Sequence, residues 1–171
     1  LGMGCNSAEE MDARWKKALA EPINPKAVTN AKCQEVVIQG DELDKEGNGL
    51  DKFPVPISTP GFDNGPYLTS ANWVTKDPDT GIFNIGNYRS QIKAPNRNGG
   101  LFLGQHMGEH WRRCKAKGIP LEAAIVIGVI PAVAYAATSK LPYDFDEYRL
   151  AGGLAGEPIE VGRCQTVDLH V

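Results

Sequence analysis

Residues 69–106 read TSANWVTKDPDTGIFNIGNYRSQIKAPNRNGGLFLGQH, and the other predicted elements are arranged around this stretch. Trp73 to Thr75 and Ile82 to Ile92 are rich in aromatic and β-branched residues, which favour strands. Asp77 to Gly81 lies between them and is dense in turn-forming residues. The sequence therefore predicts two antiparallel strands joined by a short turn. Polar residues on both faces of the second strand are typical of an edge strand.

Further helices and strands are predicted on either side of this hairpin. A capping box at Ser7 to Glu10 predicts the start of the first helix, and Pro131 suits the first turn of a later one. The predicted helices cover residues 8–19, 105–117, 131–137 and 146–154, and the additional strands cover residues 33–39, 101–103, 123–128 and 159–171. This mixture predicts an α+β fold, a mostly antiparallel sheet or barrel with helices inserted between strands.

Composition and charge exclude several classes of partner. The 171 residues carry a formal net charge of -3, and the basic residues are scattered along the chain. This argues against nucleic acid or anionic membrane as a partner. The longest apolar run, Ala123 to Ala137, is shorter than the ~20 residues of a membrane-spanning helix. The four cysteines are widely spaced and the residues before the first predicted helix show no signal-peptide pattern, so we expect a reduced, cytoplasmic protein.

The predicted helix after the hairpin begins with His106 and His110 one turn apart. Together with Glu109 they spell H-x-x-E-H, the signature of inverted zinc peptidases, in which the glutamate is the general base. Two histidines at this spacing can share one metal ion. The alternative is that His110 only packs or caps the helix.

A second candidate metal set comes from three separate elements. Asn84 lies on the hairpin, His106 at a helix start and Glu147 at the start of the last predicted helix. These residues offer oxygen, nitrogen and oxygen donors, a mixture that suits manganese or magnesium better than zinc. The pattern alone does not show that the three converge.

From Lys32 to its end the chain resembles the UbiD-type reversible decarboxylases, which act with prenylated flavin mononucleotide. No single motif carries the resemblance, which depends on the order and spacing of several. The matching stretches are Cys33-Gln-Glu-Val-Val, Pro60-Gly-Phe-Asp-Asn-Gly-Pro66, Thr75-Lys-Asp-Pro-Asp-Thr-Gly81, Tyr88-Arg89, Gln105-His106, Leu141-Pro142, Asp146-Glu147-Tyr148, Gly156-Glu157-Pro158 and Cys164-Gln-Thr-Val-Asp168.

The resemblance implies a split β-barrel of the flavin-binding kind and a set of site residues. The positions matching Asn84, His106 and Glu147 hold Mn²⁺, or Mg²⁺, which clamps the flavin phosphate, often with K⁺ beside it. Arg89 matches the arginine that holds the reacting carboxylate, and a guanidinium can grip a carboxylate in bidentate fashion. The positions that line the cofactor match Thr69, Gly86, Gln105, Ser139 and Lys140. Gly86 stands where serine occurs elsewhere in the family, so that it offers only its backbone.

The resemblance also implies what the chain lacks. The family's catalytic glutamates, one of them the proton donor, follow the position of Val171, and both ends of the chain suggest a fragment. We therefore expect residues 1–31 to be a helix and connector from a preceding domain. Residues 32–171 would be the central cofactor-binding domain, incomplete at its C-terminal end.

The implied activity is reversible, non-oxidative decarboxylation of an aromatic or α,β-unsaturated carboxylic acid. A flavin prenyltransferase would supply the cofactor, and the full-length protein would form a homo-oligomer. The alternative is a flavin-binding or scaffold module without turnover of its own.

Overall fold

The computed structural model describes residues 3–171. Within this range the helices are α1 (Ala8–Ala20), α2 (His106–Ala116), α3 (Pro131–Ala137) and α4 (Glu147–Ala155). The strands are β1 (Lys26–Val28), β2 (Tyr67–Leu68), β3 (Asn72–Lys76), β4 (Phe83–Asn87), β5 (Ser90–Ala94), β6 (Arg97–Gly100), β7 (Ala123–Val126) and β8 (Glu160–Gly162).

The predicted hairpin is confirmed and supplies two of the three strands of one sheet. Strands β3 and β4 pair antiparallel, with Val74 opposite Ile85, and β7 pairs with the other side of β3. The connecting turn closes through a hydrogen bond from the Gly81 amide to the Asp77 carbonyl, and Gly81 adopts a φ of 76°, which glycine accepts without strain. The sheet order is β4-β3-β7, so β4 is an edge strand as expected.

The prediction of one continuous strand over residues 82–92 is wrong. Tyr88 and Arg89 interrupt the strand, and β5 joins β2 and β6 in a second three-stranded sheet. At this interruption the Tyr88 ring lies over Gly86, where any Cβ would overlap with the ring. A glycine at residue 86 therefore permits the packing that accompanies the change of sheet.

Two short predicted strands are also wrong. Residues 33–39 form no strand, because no neighbour pairs with them; a 3-10 turn covers Lys32–Gln34, and Val36 is 71% exposed. Residues 101–103 likewise do not pair. The strand lies earlier, at β6, where a segment rich in Asn and Gly forms a hairpin with β5. Strand propensity without a hydrogen-bonding partner does not make a strand.

The C-terminal segment is a narrow hairpin rather than one broken strand over residues 159–171. Strand β8 pairs in parallel with β1, and the chain then reverses. Gly162 and Val171 exchange two backbone hydrogen bonds, at 2.7 and 2.8 Å. The predicted Ser7 cap of α1 is confirmed, with the Ser7 hydroxyl accepting from the Glu10 amide, while the Glu10 carboxylate reaches back to the amide of Asn6 rather than that of Ser7.

The main hydrophobic core lies between the β3–β4 hairpin and the helices. Helices α3 and α4 cover the hairpin, and α1 crosses α4 where Gly153 lies against Ala18, so closely that a Cβ at Gly153 would be 2.8 Å from the Ala18 carbonyl oxygen. The buried core residues include Val74, Ile85, Val133, Ala136, Tyr148, Leu150, Ala151 and Leu154. The α+β composition is as predicted. The strands described form three separate sheets, and closure into a split barrel stays a prediction.

None of the helices in the described range is long and apolar enough to cross a membrane.

Candidate cofactor and metal site

Three elements carry the predicted metal ligands toward one another. Asn84 lies on β4, and His106 is the first residue of α2, which starts after an extended Gln105. Glu147 is the first residue of α4, whose start is fixed by Asp146: its side chain accepts a hydrogen bond from the Tyr148 amide at 2.8 Å. Aspartate is a preferred N-cap, so the sequence itself determines where α4 begins and where Glu147 lies.

In the structure the Glu147 carboxylate contacts the His106 ring and the backbone of β4 next to Asn84. Its Oε2 accepts a hydrogen bond from the backbone amide of Ile85, the residue after Asn84, at 3.1 Å. Its Oε1 lies 3.6 Å from Nδ1 of His106. Asn84 and Glu147 are buried, whereas the His106 side chain is 26% exposed. The hairpin, α2 and α4 therefore meet at one buried carboxylate.

The donor types of Asn84, His106 and Glu147 suit a divalent cation. The Asn84 amide nitrogen faces the Tyr88 hydroxyl at 3.4 Å, which leaves the side-chain carbonyl oxygen of Asn84 free to serve as a metal ligand. Two ligands of one octahedral cation at ~2.1 Å stand ~3.0 Å apart, so the gap between His106 and Glu147 needs only a small side-chain shift. One imidazole with two oxygen donors suits manganese or magnesium.

Electrostatics at this point favour a positive charge. Contact with the Glu147 carboxylate raises the pKa of His106, so that a proton is held more tightly between the two groups. Burial raises the pKa of Tyr88, which keeps its hydroxyl neutral beside Asn84. A metal ion would compete with the proton for the same site.

Arg89 and Thr69 line one open cavity of about 690 Å³. The cavity lies on the β2-β5-β6 sheet, and Tyr67, Gln91 and Lys93 also line it. Arg89 is exposed and has no carboxylate partner among residues 3–171. Its guanidinium is therefore available to an anion from solution.

The other predicted cofactor-lining residues occupy two places. Gly86 lies two residues after Asn84 on β4, and Gln105 directly precedes His106 at the start of α2. Ser139 and Lys140 follow α3, on the segment that leads to α4; the Ser139 hydroxyl donates to the Tyr135 carbonyl at 2.7 Å, and Lys140 is exposed. A contact of either with Asn84, His106 or Glu147 stays a prediction.

Sequence reasoning missed a buried polar network behind the site. The Asp77 carboxylate is 1% exposed and accepts hydrogen bonds from the backbone amides of Asp79 and Thr80, at 2.7 and 3.2 Å. It also accepts from the Arg113 guanidinium at 3.0 Å and from the Tyr143 hydroxyl at 2.5 Å. Burial alone would raise the pKa of Asp77, but the Tyr143 hydroxyl, the two amides and Arg113 together lower it.

His110 belongs to this network. It is 2% exposed, its Nδ1 lies 2.9 Å from the Thr75 hydroxyl, and its Nε2 lies 3.9 Å from Asp77. Burial lowers the pKa of His110 to about 4. The Glu109 carboxylate of the H-x-x-E-H motif instead bonds Arg112 and Arg113, which lower its pKa. This geometry agrees with the interpretation that His110 packs, and gives the peptidase interpretation no support.

One signal in the sequence pointed to this network. His106, His110 and Arg113 are spaced by four and three residues, which places them on one face of α2. Asp77 was recognised only as a turn residue, a role that it also fills through its bonds to the Asp79 and Thr80 amides.

Comparison with known proteins identifies a family and a relative. Residues 26–171 match the family model described as UbiD, 3-octaprenyl-4-hydroxybenzoate carboxy-lyase Rift-related domain. An uncharacterized protein of Archaeoglobus fulgidus is 39% identical over 149 residues, which cover 86% of this chain and 29% of that protein. The chain thus spans less than a third of the length of this relative.

Solved structures of UbiD-class enzymes have the same fold. HmfF from Pelotomaculum thermopropionicum, in complex with FMN, superposes with a TM-score of 0.87 at 31% identity, over 99% of this chain and 37% of that one. An evolved dimeric form of HmfF in complex with prFMN superposes with a TM-score of 0.85 at 32% identity, over 95% of this chain and 37% of that one. Vanillic acid decarboxylase of Sedimentibacter hydroxybenzoicus, in its closed form, superposes with a TM-score of 0.84 at 29% identity, over 97% of this chain and 36% of that one.

The family model covers most of the chain, and the structural likeness extends over nearly all of it. The chain therefore belongs to the UbiD carboxy-lyase family.

Proposed function

We propose that this chain is the central, prenylated-FMN-binding part of a reversible, non-oxidative decarboxylase. The substrate would be an aromatic or α,β-unsaturated carboxylic acid. The observation that supports the proposal is the contact of the buried Glu147 carboxylate with both His106 and the backbone amide next to Asn84, in a chain that belongs to a carboxy-lyase family.

In this proposal Asn84, His106 and Glu147 hold Mn²⁺, or Mg²⁺, with K⁺ as a further ion nearby. The divalent cation would neutralise the charge of the flavin phosphate. Glu147 is suited to this role because one of its oxygens is already fixed by the Ile85 amide while the other faces His106. Preorganisation of this kind lowers the entropy lost on binding.

The cofactor would lie between the metal ligands and the cavity that Thr69 and Arg89 line. When bound, prenylated FMN would supply the electron sink that takes the electron pair left by departing CO₂. Gly86 and Gln105 would line the cofactor on the hairpin side, and Ser139 and Lys140 on the side of the segment before α4. Gly86 would contribute its backbone, since the Tyr88 ring occupies the space of a side chain.

Arg89 would bind and orient the substrate carboxylate. Its exposure on the cavity wall and its lack of an internal carboxylate partner, within the described range, leave its donors free for a bidentate contact. Holding the carboxylate in a fixed orientation reduces the entropic part of the activation barrier.

The wider assembly extends the same proposal. Residues 32–171 would be the central split-barrel domain, residues 1–31 would lead in from a preceding domain, and the catalytic glutamates would follow in the complete protein. A flavin prenyltransferase would supply the cofactor, and the complete protein would be a homo-oligomer in the cytoplasm, where its free cysteines stay reduced.

The experiment that tests this function uses the complete natural protein, coexpressed with a flavin prenyltransferase. The protein is incubated with a panel of aromatic and α,β-unsaturated acids in D₂O, and deuterium incorporation and CO₂ release are measured beside Arg89→Ala. Arg97→Ala, which removes an exposed arginine of β6 that does not line the cavity, is the matched control.

We expect turnover of at least one acid, lost in Arg89→Ala and kept in Arg97→Ala. Cofactor binding without turnover of any acid would favour the alternative, a flavin-binding module. Equal loss in the two arginine variants would contradict the role given to Arg89.

A further inference from the structure

The ring of Tyr143 lies between the two histidines of α2. Its centroid is 5.2 Å from that of His106 at an interplanar angle of 78°, and 5.7 Å from that of His110 at 84°. The Arg113 guanidinium lies 4.8 Å from the ring centre. Edge-to-face contacts and a cation over the ring are favourable geometries. The Tyr143 ring is therefore held by three side chains of α2, one of them a proposed metal ligand.

The hydroxyl of Tyr143 is anchored to the hairpin. It donates to Asp77, whose buried carboxylate is itself fixed by two backbone amides of its own turn and by Arg113. A buried acceptor held by several donors cannot move without losing them. Tyr143 is thus held at its ring by side chains of α2 and at its hydroxyl by Asp77.

These contacts join the three elements that carry the proposed ligands. Asp77 leads from β3 into the turn before β4, which carries Asn84, and His106 begins α2. Tyr143 lies four residues before Glu147, on the segment that delivers α4. One aromatic side chain therefore connects the hairpin, α2 and the approach to α4.

We propose that Tyr143 is a positioning residue for the metal site, holding the His106 ring and the start of α4 in ligand geometry. This inference rests on the proposed metal site. A ligating imidazole is ordinarily oriented by a hydrogen bond from its second nitrogen, and removing such support lowers metal affinity ~10–100-fold. In the described range the His106 ring has no hydrogen-bond partner besides its contact with Glu147, so ring packing against Tyr143 takes that role.

The test compares Tyr143→Phe with Tyr148→Phe in the 171-residue chain. Tyr148 is a matched control: it is adjacent to Glu147 and buried, but its hydroxyl donates to the His170 carbonyl at 2.7 Å, away from His106. Each variant keeps its ring and loses one hydroxyl hydrogen bond. Mn²⁺ affinity is measured by titration followed by electron paramagnetic resonance, and thermal stability is measured without metal.

We expect Mn²⁺ affinity to fall about tenfold in Tyr143→Phe and less than twofold in Tyr148→Phe. Both metal-free variants should stay folded at the temperature of the titration, with the larger fall in melting temperature in Tyr143→Phe, whose hydroxyl donates to a carboxylate. Equal loss of affinity in both variants, or no loss in Tyr143→Phe, would overturn the inference.

A metal-free readout separates this inference from the proposed metal site. If the parent chain binds no Mn²⁺, the metal site fails, and the inference is judged on the NMR cross-peak between the His106 ring and the Glu147 side chain. We expect that cross-peak to be lost in Tyr143→Phe and kept in Tyr148→Phe. Its presence in both variants would refute the positioning role.

Discussion

Replacing Asp77 with asparagine tests the buried network in the sharpest way. The substitution keeps the shape of the side chain but removes its charge and one acceptor oxygen. If the amide oxygen takes the place of Oδ1, the hydrogen bonds from the Asp79 and Thr80 amides persist, to a neutral acceptor. The new amide group then meets the Arg113 guanidinium, a donor facing a donor.

The magnitude follows from these contacts. A hydrogen bond between a charged donor and acceptor contributes ~1.5–3 kcal/mol, and the lower end applies because Arg113, 31% exposed, can turn to water. The Tyr143 hydroxyl can rotate and accept a hydrogen bond from the new amide group. The change at Tyr143 therefore destabilises the fold less than the change at Arg113. The two backbone amides lose part of their interaction because their acceptor becomes neutral. Together these changes destabilise the fold by ~2–3 kcal/mol, or ~5–10 °C in Tm for a chain of this length.

The assay is urea unfolding at pH 7, with Asp79→Asn as the control. Asp79 lies in the same turn and forms exposed ion pairs with Lys117 and Arg113, which contribute ~0–1 kcal/mol. We expect Asp77→Asn to shift the unfolding midpoint several times further than Asp79→Asn. If the two shifts are the same, Asp77 is not the anchor that its contacts indicate.

Two further predictions concern buried positions near the site. His110 has a pKa of about 4 in the folded chain and ~6.5 when unfolded, so the unfolded state takes up the proton first as pH falls. The free energy of unfolding therefore drops by up to ~3 kcal/mol from pH 7 to pH 4 on account of this residue. Urea titrations at several pH values should show that the free energy of unfolding falls less steeply with falling pH in His110→Asn than in the parent. The same pH dependence in both would refute the lowered pKa of His110. Gly86→Ala should destabilise the fold by ~1–3 kcal/mol, since its methyl group overlaps with the Tyr88 ring. Gly99→Ala, whose Cβ would meet only Lys93 at ordinary contact distance, should lie within ~0.5 kcal/mol of the parent, and similar losses for both would contradict the overlap.

The elements that were predicted correctly from the sequence are those determined by interactions between residues close together in the chain. The turn from Asp77 to Gly81 contains its own acceptor and its own positive-φ glycine, so the hairpin forms as expected. Pro131 begins α3, and Asp146 caps α4. Each of these signals acts within a few residues, which is the range that a sequence pattern reports.

Non-local pairing accounts for the elements that were missed. Residues 33–39 have strand propensity but find no neighbour, whereas β6 has turn-like composition and pairs with β5. The change of sheet after β4 depends on the Tyr88 ring over Gly86, a contact that alternation of side chains does not report. Sheet membership is decided by partners elsewhere in the chain, not by propensity.

The candidate site also has a part that was predicted before the structure and a part that only the structure shows. The ligand set Asn84, His106 and Glu147 came from family resemblance, and the pattern offered only suitable donor types. The network behind it links Asp77 with Arg113 and Tyr143, which are 36 and 66 residues away in sequence. Contacts at that separation leave no periodic trace, so only the structure reveals them.

The central claim is that the hairpin, α2 and α4 build one metal and cofactor site. Its most direct test is to coexpress the chain with a flavin prenyltransferase, purify it with Mn²⁺ and record its absorption spectrum and metal content. Asn84→Ala and Glu147→Ala remove ligands from two elements, and Asp144→Asn, an exposed carboxylate three residues before Glu147, is the control. We predict a flavin chromophore with one manganese per chain in the parent and control, and neither in the two ligand variants. Retention of metal and chromophore in both ligand variants would contradict the account.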